Sequence, residues 1–184
     1  ASDGLGSEKG DVAIRSAAST ATNQNTWIEE MKKVLPNYSN VNLVDTVYGD
    51  DLADKSYRET QGLIAKYPNL KAIIAPTSVG IVAAAQAVED AGLVGKVNVT
   101  GLGLPSEMAG HVEAGSSKSF AIWNPIDLGY SITYAAHEYA RGNVGKAVSL
   151  GRVGQVTPDG DNSAPMAEPF TFNADNVEKF AKYF

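Results

Sequence analysis

Short apolar runs alternate with amphipathic helical patterns along most of the chain. Each run is three to seven residues long and is bounded by polar or glycine-containing segments, as buried strands are. Strands are predicted at 12–14, 41–47, 71–75, 97–101 and 120–123, and helices at 24–35, 53–67, 79–91, 106–114 and 127–141. This alternation predicts an α/β fold: a three-layer, doubly wound parallel sheet with helices on both faces and the strand order 2-1-3-4-5.

The pattern divides the chain into three segments. These are a linker or frayed N-terminus at 1–10, an α/β domain at 11–124, and a helix, an irregular stretch and a terminal helix at 125–184. The stretch 142–171 is rich in Gly, Pro, Asp and Asn and has little periodicity beyond 152–157, so we expect it to wrap a surface or cross between lobes. The last helix is predicted at 173–182, with Asn173 as its N-cap.

Two predicted helices carry unusual amounts of apolar surface. The helix at 79–91 is apolar almost all round as far as Glu89, which predicts burial on two sides. The helix at 127–141 has one apolar face and, on another face, Tyr130 and Tyr134. That is more apolar surface than packing on one sheet face requires.

Composition narrows the classes of partner. The 184 residues are enough for one domain with a real core, and the net charge of −6 argues against nucleic acid or an anionic membrane. The chain has no cysteine, which excludes disulfides, thiolate chemistry and Cys-based zinc sites. No apolar run approaches the length of a membrane span. No signal peptide is visible, although a mature exported protein would also lack one.

Neutral hydrogen-bonding groups follow the predicted strands at the edge where ligands bind in open parallel sheets. The candidate binding residues are Asn23, Gln24, Pro76, Thr77, Ser78, Trp123 and Asn124. Amides, hydroxyls and an aromatic ring without charge are typical of a site for a neutral sugar. Two alternatives remain open: Thr22 or Asn23 and Ser78 can instead cap their helices, and Trp123 can pack instead of facing a ligand.

Motifs for phosphate binding are incomplete. The pair Gly101 and Gly103 lacks the third glycine of a dinucleotide fingerprint and follows a late strand. Residues 142–147 have the wrong spacing for a P-loop and follow a helix. Trp27, which lies at core spacing with Met31, is interpreted as a packing residue.

Metal and nucleophile chemistry are also poorly supported. The acidic cluster of Asp50, Asp51 and Asp54 precedes a helix, so a solvated helix start is the preferred interpretation over a metal site. The two histidines, His111 and His137, lack a Ser or Asp at the spacing of a catalytic triad. We therefore expect no enzyme, no metal and no cofactor.

Several segments, taken in order, resemble one known family. They are TATNQNTWIEEM (20–31), AIIAPTSVGIVAAAQAVEDAG (72–92), TGLGLPSEM (100–108), FAIWNPIDLG (120–129), VGQV (153–156) and the tail 172–184. Across residues 10–184 the chain resembles the C-terminal part of type I periplasmic sugar-binding proteins of ABC transporters, especially rhamnose-binding proteins and Lsr-type autoinducer-2 receptors. The resemblance implies one lobe of such a protein, with 11–124 as the C-terminal lobe and a hinge-crossing helix after it.

The resemblance also bears on the ligand. In the autoinducer-2 receptors, the first segment supplies an Asp-Gln pair and the second supplies Pro and Ala contacts. Gln24 and Pro76 agree with that pattern, whereas Asn23 replaces the acid and Ser78 replaces the alanine. These departures favour a rhamnose-like neutral sugar. The implied function is a periplasmic solute-binding component of a bacterial ABC importer, with the sugar and the transporter permease as partners.

Proteins of this family clamp the ligand between two lobes, and the resemblance covers only the second. We therefore expect a truncated form that binds sugar weakly or not at all. The helix from Asp127 to Arg141 packs on the other lobe in the family, so here we expect a homodimer through it. Alternatives are an autoinducer-2-type receptor and the effector-binding domain of a LacI-type regulator, which would need a helix-turn-helix segment. An enzyme would need a nucleophile–base pair or cofactor motif.

Overall fold

The computed structural model describes residues 9–143, 145–160, 163–164 and 169–183. Its helices are α1 (Thr22–Val34), α2 (Ala53–Lys66), α3 (Ser78–Asp90), α4 (Pro105–Ala114), α5 (Pro125–Ala140) and α6 (Val177–Phe180). Its strands are β1 (Gly10–Ser16), β2 (Val41–Tyr48), β3 (Leu70–Ala75), β4 (Asn98–Gly101), β5 (Ser119–Ile122), β6 (Val148–Ser149), β7 (Gln155–Val156) and β8 (Phe170–Asn173). Short 3₁₀ turns occupy Leu35–Asn37 and Gly151–Val153.

The main sheet is parallel and has the strand order β2-β1-β3-β4. A single parallel bridge between Leu102 and Ala121 continues this order to β5, and β5 also pairs with β8. The predicted α/β class and the order 2-1-3-4-5 are therefore confirmed. Because the strands are parallel, the carboxyl ends of β1, β3 and β4 lie at one edge of the sheet.

Alternate side chains of β1 face opposite sides of the sheet. Val12 and Ile14 line an apolar groove of about 230 Å³ beside Met31 of α1. On the other face, Arg15 reaches α2, where it bonds to Ser56, and α3, where it lies against Gly80. The sheet is thus covered by α1 on one face and by α2 and α3 on the other.

Contacts divide the chain into two compact units. Unit 1 comprises the described residues of Ala1–Ala121 and Thr171–Phe184, and unit 2 those of Ile122–Phe170. The predicted segment 125–184 therefore does not correspond to one unit. Its described residues up to 170 lie in unit 2, and those from 171 onward lie in unit 1. The predicted linker 1–10 lies outside the described residues up to position 8, and Gly10 already begins β1.

The C-terminal helix is shorter than predicted. Residues 170–173 form β8 instead of leading into a helix at 173, and Asn173 ends this strand, accepting a hydrogen bond from the Asp175 amide, 2.9 Å. Phe172 is buried and stacks on Phe120 at 5.3 Å between ring centroids. The alternating Phe-Thr-Phe pattern places one aromatic ring in the core, and this burial outweighs helix formation. The proposed N-cap at Asn173 is wrong, because Asn176 occupies that position.

Within the described ranges, no helix combines the length and the apolar character that crossing a membrane requires.

Candidate functional site

Five of the predicted site residues lie in unit 1, at two neighbouring strand ends. Asn23 and Gln24 open α1 after β1, whereas Pro76, Thr77 and Ser78 join β3 to α3. β1 and β3 are hydrogen-bonded neighbours, so their carboxyl ends bring these two segments together. The Gln24 side-chain amide donates to the Pro76 carbonyl across 3.4 Å, which joins the segments directly.

These side chains differ in exposure. Asn23 is exposed, and its side chain has no hydrogen bond to any residue that the structure describes. Gln24 and Ser78 are half-buried, whereas Pro76 and Thr77 are buried. The edge therefore presents a free amide, a second amide anchored at its nitrogen, and a hydroxyl, which together offer donors and acceptors without charge.

The capping alternative does not hold for α1 or α3. The N-cap positions are Ala21 and Thr77, and neither side chain caps its helix. Asn25 instead donates to the Ser19 carbonyl at 2.8 Å, which holds the loop that leads into α1. Asn23 and Ser78 are thus not used as caps and stay candidates for ligand binding.

Thr77 bonds to a residue that sequence reasoning had set aside. Its hydroxyl donates to a carboxylate oxygen of Asp51, which lies in the loop between β2 and α2. Asp50 and Asp51 both have φ of 53°, a left-handed conformation that Asp adopts more readily than most residues. Asp50 pairs with Lys55 at 2.6 Å. The acidic cluster is thus a structured turn of which one member reaches the candidate site.

Arg15, at the end of β1, is the second residue missed. It is fully buried, and its Nη1 donates to Ser56 Oγ at 2.5 Å and to the Ser16 carbonyl at 3.2 Å. Burial lowers the pKa of Arg15 to about 10, and the charge of Asp51 opposes that shift. The guanidinium is therefore still charged at neutral pH. The sequence did offer a signal for Arg15: a charged residue directly follows the apolar run at 12–14.

Two glycines make room for this guanidinium. A Cβ on Gly80 would lie 1.0 Å from Arg15 Nη2, and a Cβ on Gly49 would lie 2.1 Å from Nη1. Gly80 is in the first turn of α3, and Gly49 directly follows β2 and precedes the Asp50–Asp51 turn. Their lack of side chains lets the start of α3 and the residue after β2 pack directly against the buried guanidinium.

Gly101, the last residue of β4, allows a close approach to the end of β3. Gly101 has φ of +145°, and a Cβ there would lie 2.0 Å from the Ala75 carbonyl oxygen. That carbonyl accepts from the Leu102 amide at 3.0 Å. The absence of a side chain at Gly101 therefore lets the turn after β4 fit closely against the end of β3.

The remaining two predicted site residues lie in unit 2. Trp123 is half-buried, and Asn124 is exposed and caps α5. Its side-chain oxygen accepts from the amides of Ile126 at 3.0 Å and Asp127 at 3.3 Å, and its nitrogen donates to the Asp127 carboxylate at 2.9 Å. The Asn124 side chain thus caps α5. Capping had been considered for Thr22, Asn23 and Ser78, but not for Asn124.

Asp127 belongs to a second polar cluster in unit 2. Its carboxylate accepts from Arg152 Nη2 at 2.6 Å, and the guanidinium carbon of Arg152 lies 4.4 Å from the ring centroid of Tyr130. Tyr130 in turn packs on Tyr134 at 4.9 Å between centroids. These contacts hold the 3₁₀ turn containing Arg152 against the first half of α5.

The acidic residues and histidines of the described part of the chain serve structural contacts where their partners are seen. No group of three His, Asp or Glu residues there could hold a metal ion. His111 and Ser116 both bond to one oxygen of Glu89, at 2.7 and 2.5 Å. This arrangement ties α3 to α4, whereas a nucleophile would need its hydroxyl on the imidazole.

The fold is an α/β lobe with uncharged side chains at two strand ends, and comparisons with known proteins identify its family. Residues 1–144 match the model of the family described as "Periplasmic binding protein domain". The chain belongs to this family.

The relatives are sugar-binding transport proteins. A curated relative, the D-allose-binding periplasmic protein of Escherichia coli K12, is 35% identical over 132 residues, which are 69% of this chain and 41% of that protein. An L-rhamnose-bound ABC transporter solute-binding protein from Clostridium phytofermentas is 40% identical with a TM-score of 0.88, over 96% of this chain and 60% of that one. A sugar ABC transporter protein from Actinomyces odontolyticus is 40% identical, with a TM-score of 0.80 over 97% and 59% of the two chains. The chain thus spans less than two thirds of each of these relatives.

Proposed function

We propose that the chain forms a lobe of a solute-binding component of a bacterial ABC importer for a neutral, rhamnose-like sugar. The observation that carries this proposal is the uncharged edge of Asn23, Gln24 and Ser78, in a chain 40% identical to a protein that holds L-rhamnose. Amides and hydroxyls recognise sugar hydroxyls, because each can donate or accept. This function requires no chemical step. A periplasmic location and a permease partner follow from the same proposal.

Asn23 and Ser78 are the residues that favour a sugar over an autoinducer-2-type signal. Asn23 has a free side chain at the exposed rim and carries no charge, and Ser78 adds a hydroxyl where the resemblance has an alanine in signal receptors. Both side chains are left free by helices that begin without side-chain caps. In unit 2, Trp123 offers a ring for stacking on sugar C–H groups, whereas Asn124 Oδ1 is occupied by two backbone amides.

Titration of the isotope-labelled chain with L-rhamnose, followed by NMR, tests the proposal even where affinity is weak. We expect shifts of the Asn23 and Gln24 side-chain amide signals that saturate with sugar concentration. D-Allose and autoinducer-2 serve as competing ligands. Asn25→Ala is the matched control, because the Asn25 side-chain amide already donates to the Ser19 carbonyl. Saturating shifts with autoinducer-2 alone, or no shifts with any of the three, would overturn the sugar proposal.

We further propose that the chain self-associates through α5. Of the sixteen residues of this helix, only Ser131 is buried, whereas Ile126 is 60% and Ile132 58% exposed. An apolar face can pair with itself across a two-fold axis. Light scattering over a range of concentrations should show a dimer, and Ile132→Asp should restore the monomer. A monomeric parent chain at all concentrations contradicts this proposal.

A further inference from the structure

The turn formed by Asp50 and Asp51 holds two adjacent acids in the same backbone conformation but gives them different contacts. Both residues have φ of 53°, and both are exposed. Asp50 pairs with Lys55 on the surface, whereas Asp51 accepts a hydrogen bond from the buried hydroxyl of Thr77. Left-handed geometry at two successive non-glycine residues costs free energy. Such a turn persists where the surrounding structure holds it.

A buried positive charge lies beside this turn. Arg15 is fully buried, its Nε and Nη2 have no hydrogen-bond partner among the described residues, and a Cβ on Gly49, which precedes the turn, would lie 2.1 Å from its Nη1. A buried cation needs a nearby negative charge, because desolvation is costly. The turn is therefore packed beside a buried positive charge, and this packing does not depend on Thr77.

The bond to Asp51 determines what Thr77 can offer a ligand. A hydroxyl has one hydrogen to donate and two lone pairs that accept. Because an ionised carboxylate is only an acceptor, Thr77 must donate its hydrogen to Asp51. The Thr77 oxygen is then left as an acceptor, between Pro76 and Ser78 at the edge assigned to the sugar.

We propose that Asp51 is a positioning residue of the sugar site: it fixes the Thr77 hydroxyl as a hydrogen-bond acceptor for a ligand hydroxyl. This inference rests on the proposed function. It makes the site selective for ligands with a donor at that point, since a site built to bond a hydroxyl rejects an analogue that lacks it. The neutral edge thus depends on an acidic side chain that the ligand need not touch.

Replacing each acid of the turn by glycine separates this role from stability of the loop. Asp51→Gly and Asp50→Gly both relieve the left-handed backbone equally, and only Asp51→Gly removes the acceptor of Thr77. NMR couplings to the Thr77 methyl group report its rotamer in the absence of ligand. We expect one rotamer in the parent chain and in Asp50→Gly, and averaged rotamers in Asp51→Gly. Asp51→Asn keeps an acceptor oxygen and should restore a single rotamer.

Affinity for L-rhamnose supplies the second readout. We expect Asp51→Gly to weaken binding about fivefold to tenfold, the effect of one oriented hydrogen bond, and Asp50→Gly to leave it unchanged. In a Thr77→Val background, Asp51→Gly should cause no further loss, because its effect passes through the Thr77 hydroxyl. Equal losses in both glycine variants, or an additive loss in the double variant, would overturn the proposal.

The two readouts separate failure of this inference from failure of the sugar assignment. If L-rhamnose causes no shift in the parent chain, the proposed function is wrong for this sugar, and the Thr77 rotamer still decides whether Asp51 positions it. If Thr77 keeps a single rotamer in Asp51→Gly, the positioning role is wrong whatever the ligand is.

Discussion

The two most apolar long helices of the chain, α3 and α5, have opposite surroundings. Seven of the thirteen residues of α3 are buried, including Ile81, Ala84 and Val88. In α5 one residue of sixteen is buried, and Ile132 and Tyr134 stay exposed. A similar apolar content therefore has two structural outcomes. In α3 the apolar residues form part of the core of unit 1, and in α5 they leave a surface that another molecule or segment can cover.

The helix starts differ in the same way. α3 begins at Thr77, whose side chain bonds to Asp51 instead of capping the helix, and its first turn has Gly80 against the buried Arg15. α5 begins at Asn124, whose side chain caps the helix. The start of α3 is thus shaped by its contacts to Asp51 and Arg15, which are distant in sequence, whereas the start of α5 is stabilised locally.

The largest effect is expected at Gly80. Gly80→Ala places a Cβ 1.0 Å from Arg15 Nη2, so the buried cation must move. We expect a loss of about 3 kcal/mol or more in the free energy of unfolding, measured by urea denaturation. Gly62→Ala in α2 is the control, because a Cβ there meets nothing within 4 Å. It should raise stability by about 0.5–1 kcal/mol. Similar stability changes in the two variants would show that α3 is not packed closely on Arg15.

Two isoleucines compare α3 and α5 directly. Ile81 is 0% exposed and Ile132 is 58% exposed. We expect Ile81→Ala to cost about 2–5 kcal/mol, because it removes buried carbon and leaves a cavity, whereas Ile132→Ala should cost less than about 0.5 kcal/mol. Denaturation at low protein concentration measures the monomer. A large loss for Ile132→Ala under those conditions would mean that α5 packs within the chain.

The parts of this comparison that were predictable depend on sequence-local signals. Continuous apolar runs were sufficient to predict five strands and their order in the sheet. The all-round apolar pattern at 79–91 predicted the burial of α3. The two-residue strands β6 and β7 carry no periodicity, and β8 is recognisable only once Phe172 is seen on Phe120. Their formation depends on tertiary contacts, which override local propensity.

The candidate site divides in the same way. Its uncharged chemistry was visible because Asn23, Gln24 and Ser78 follow strands in the sequence. Asp51 was treated as part of a helix start, since its bond to Thr77 spans 26 positions. Arg15 and Gly80 are further apart still, so no local motif could show that one makes room for the other.

The start of α5 should be more sensitive to loss of its first polar side chain than the start of α3. Asn124→Ala removes the acceptor of the Ile126 and Asp127 amides and should cost about 1 kcal/mol, whereas Asn124→Ser keeps a cap and should cost much less. Ser78→Ala removes no cap and should stay within about 0.5 kcal/mol. Hydrogen exchange of the first turn of each helix measures the difference. Faster exchange at the start of α3 in Ser78→Ala than at the start of α5 in Asn124→Ala would contradict this prediction.

The smallest effect is expected at a surface ion pair of unit 1, where the sign of its pH dependence is defined. Asp45 bonds to Lys66 Nζ at 2.9 Å and to the Tyr67 hydroxyl at 2.8 Å, and these bonds lower the pKa of Asp45. A carboxylate with a lowered pKa stabilises the fold above its unfolded pKa, and this contribution is lost as the pH falls through the folded value. Asp45→Asn should therefore cost up to about 1 kcal/mol near pH 7 and progressively less below about pH 4. Lys66→Met should show the same dependence, because it removes the other half of the pair. A cost for Asp45→Asn that persists in acid would mean that the uncharged bond to Tyr67 carries the stabilisation, and Tyr67→Phe would then reproduce it.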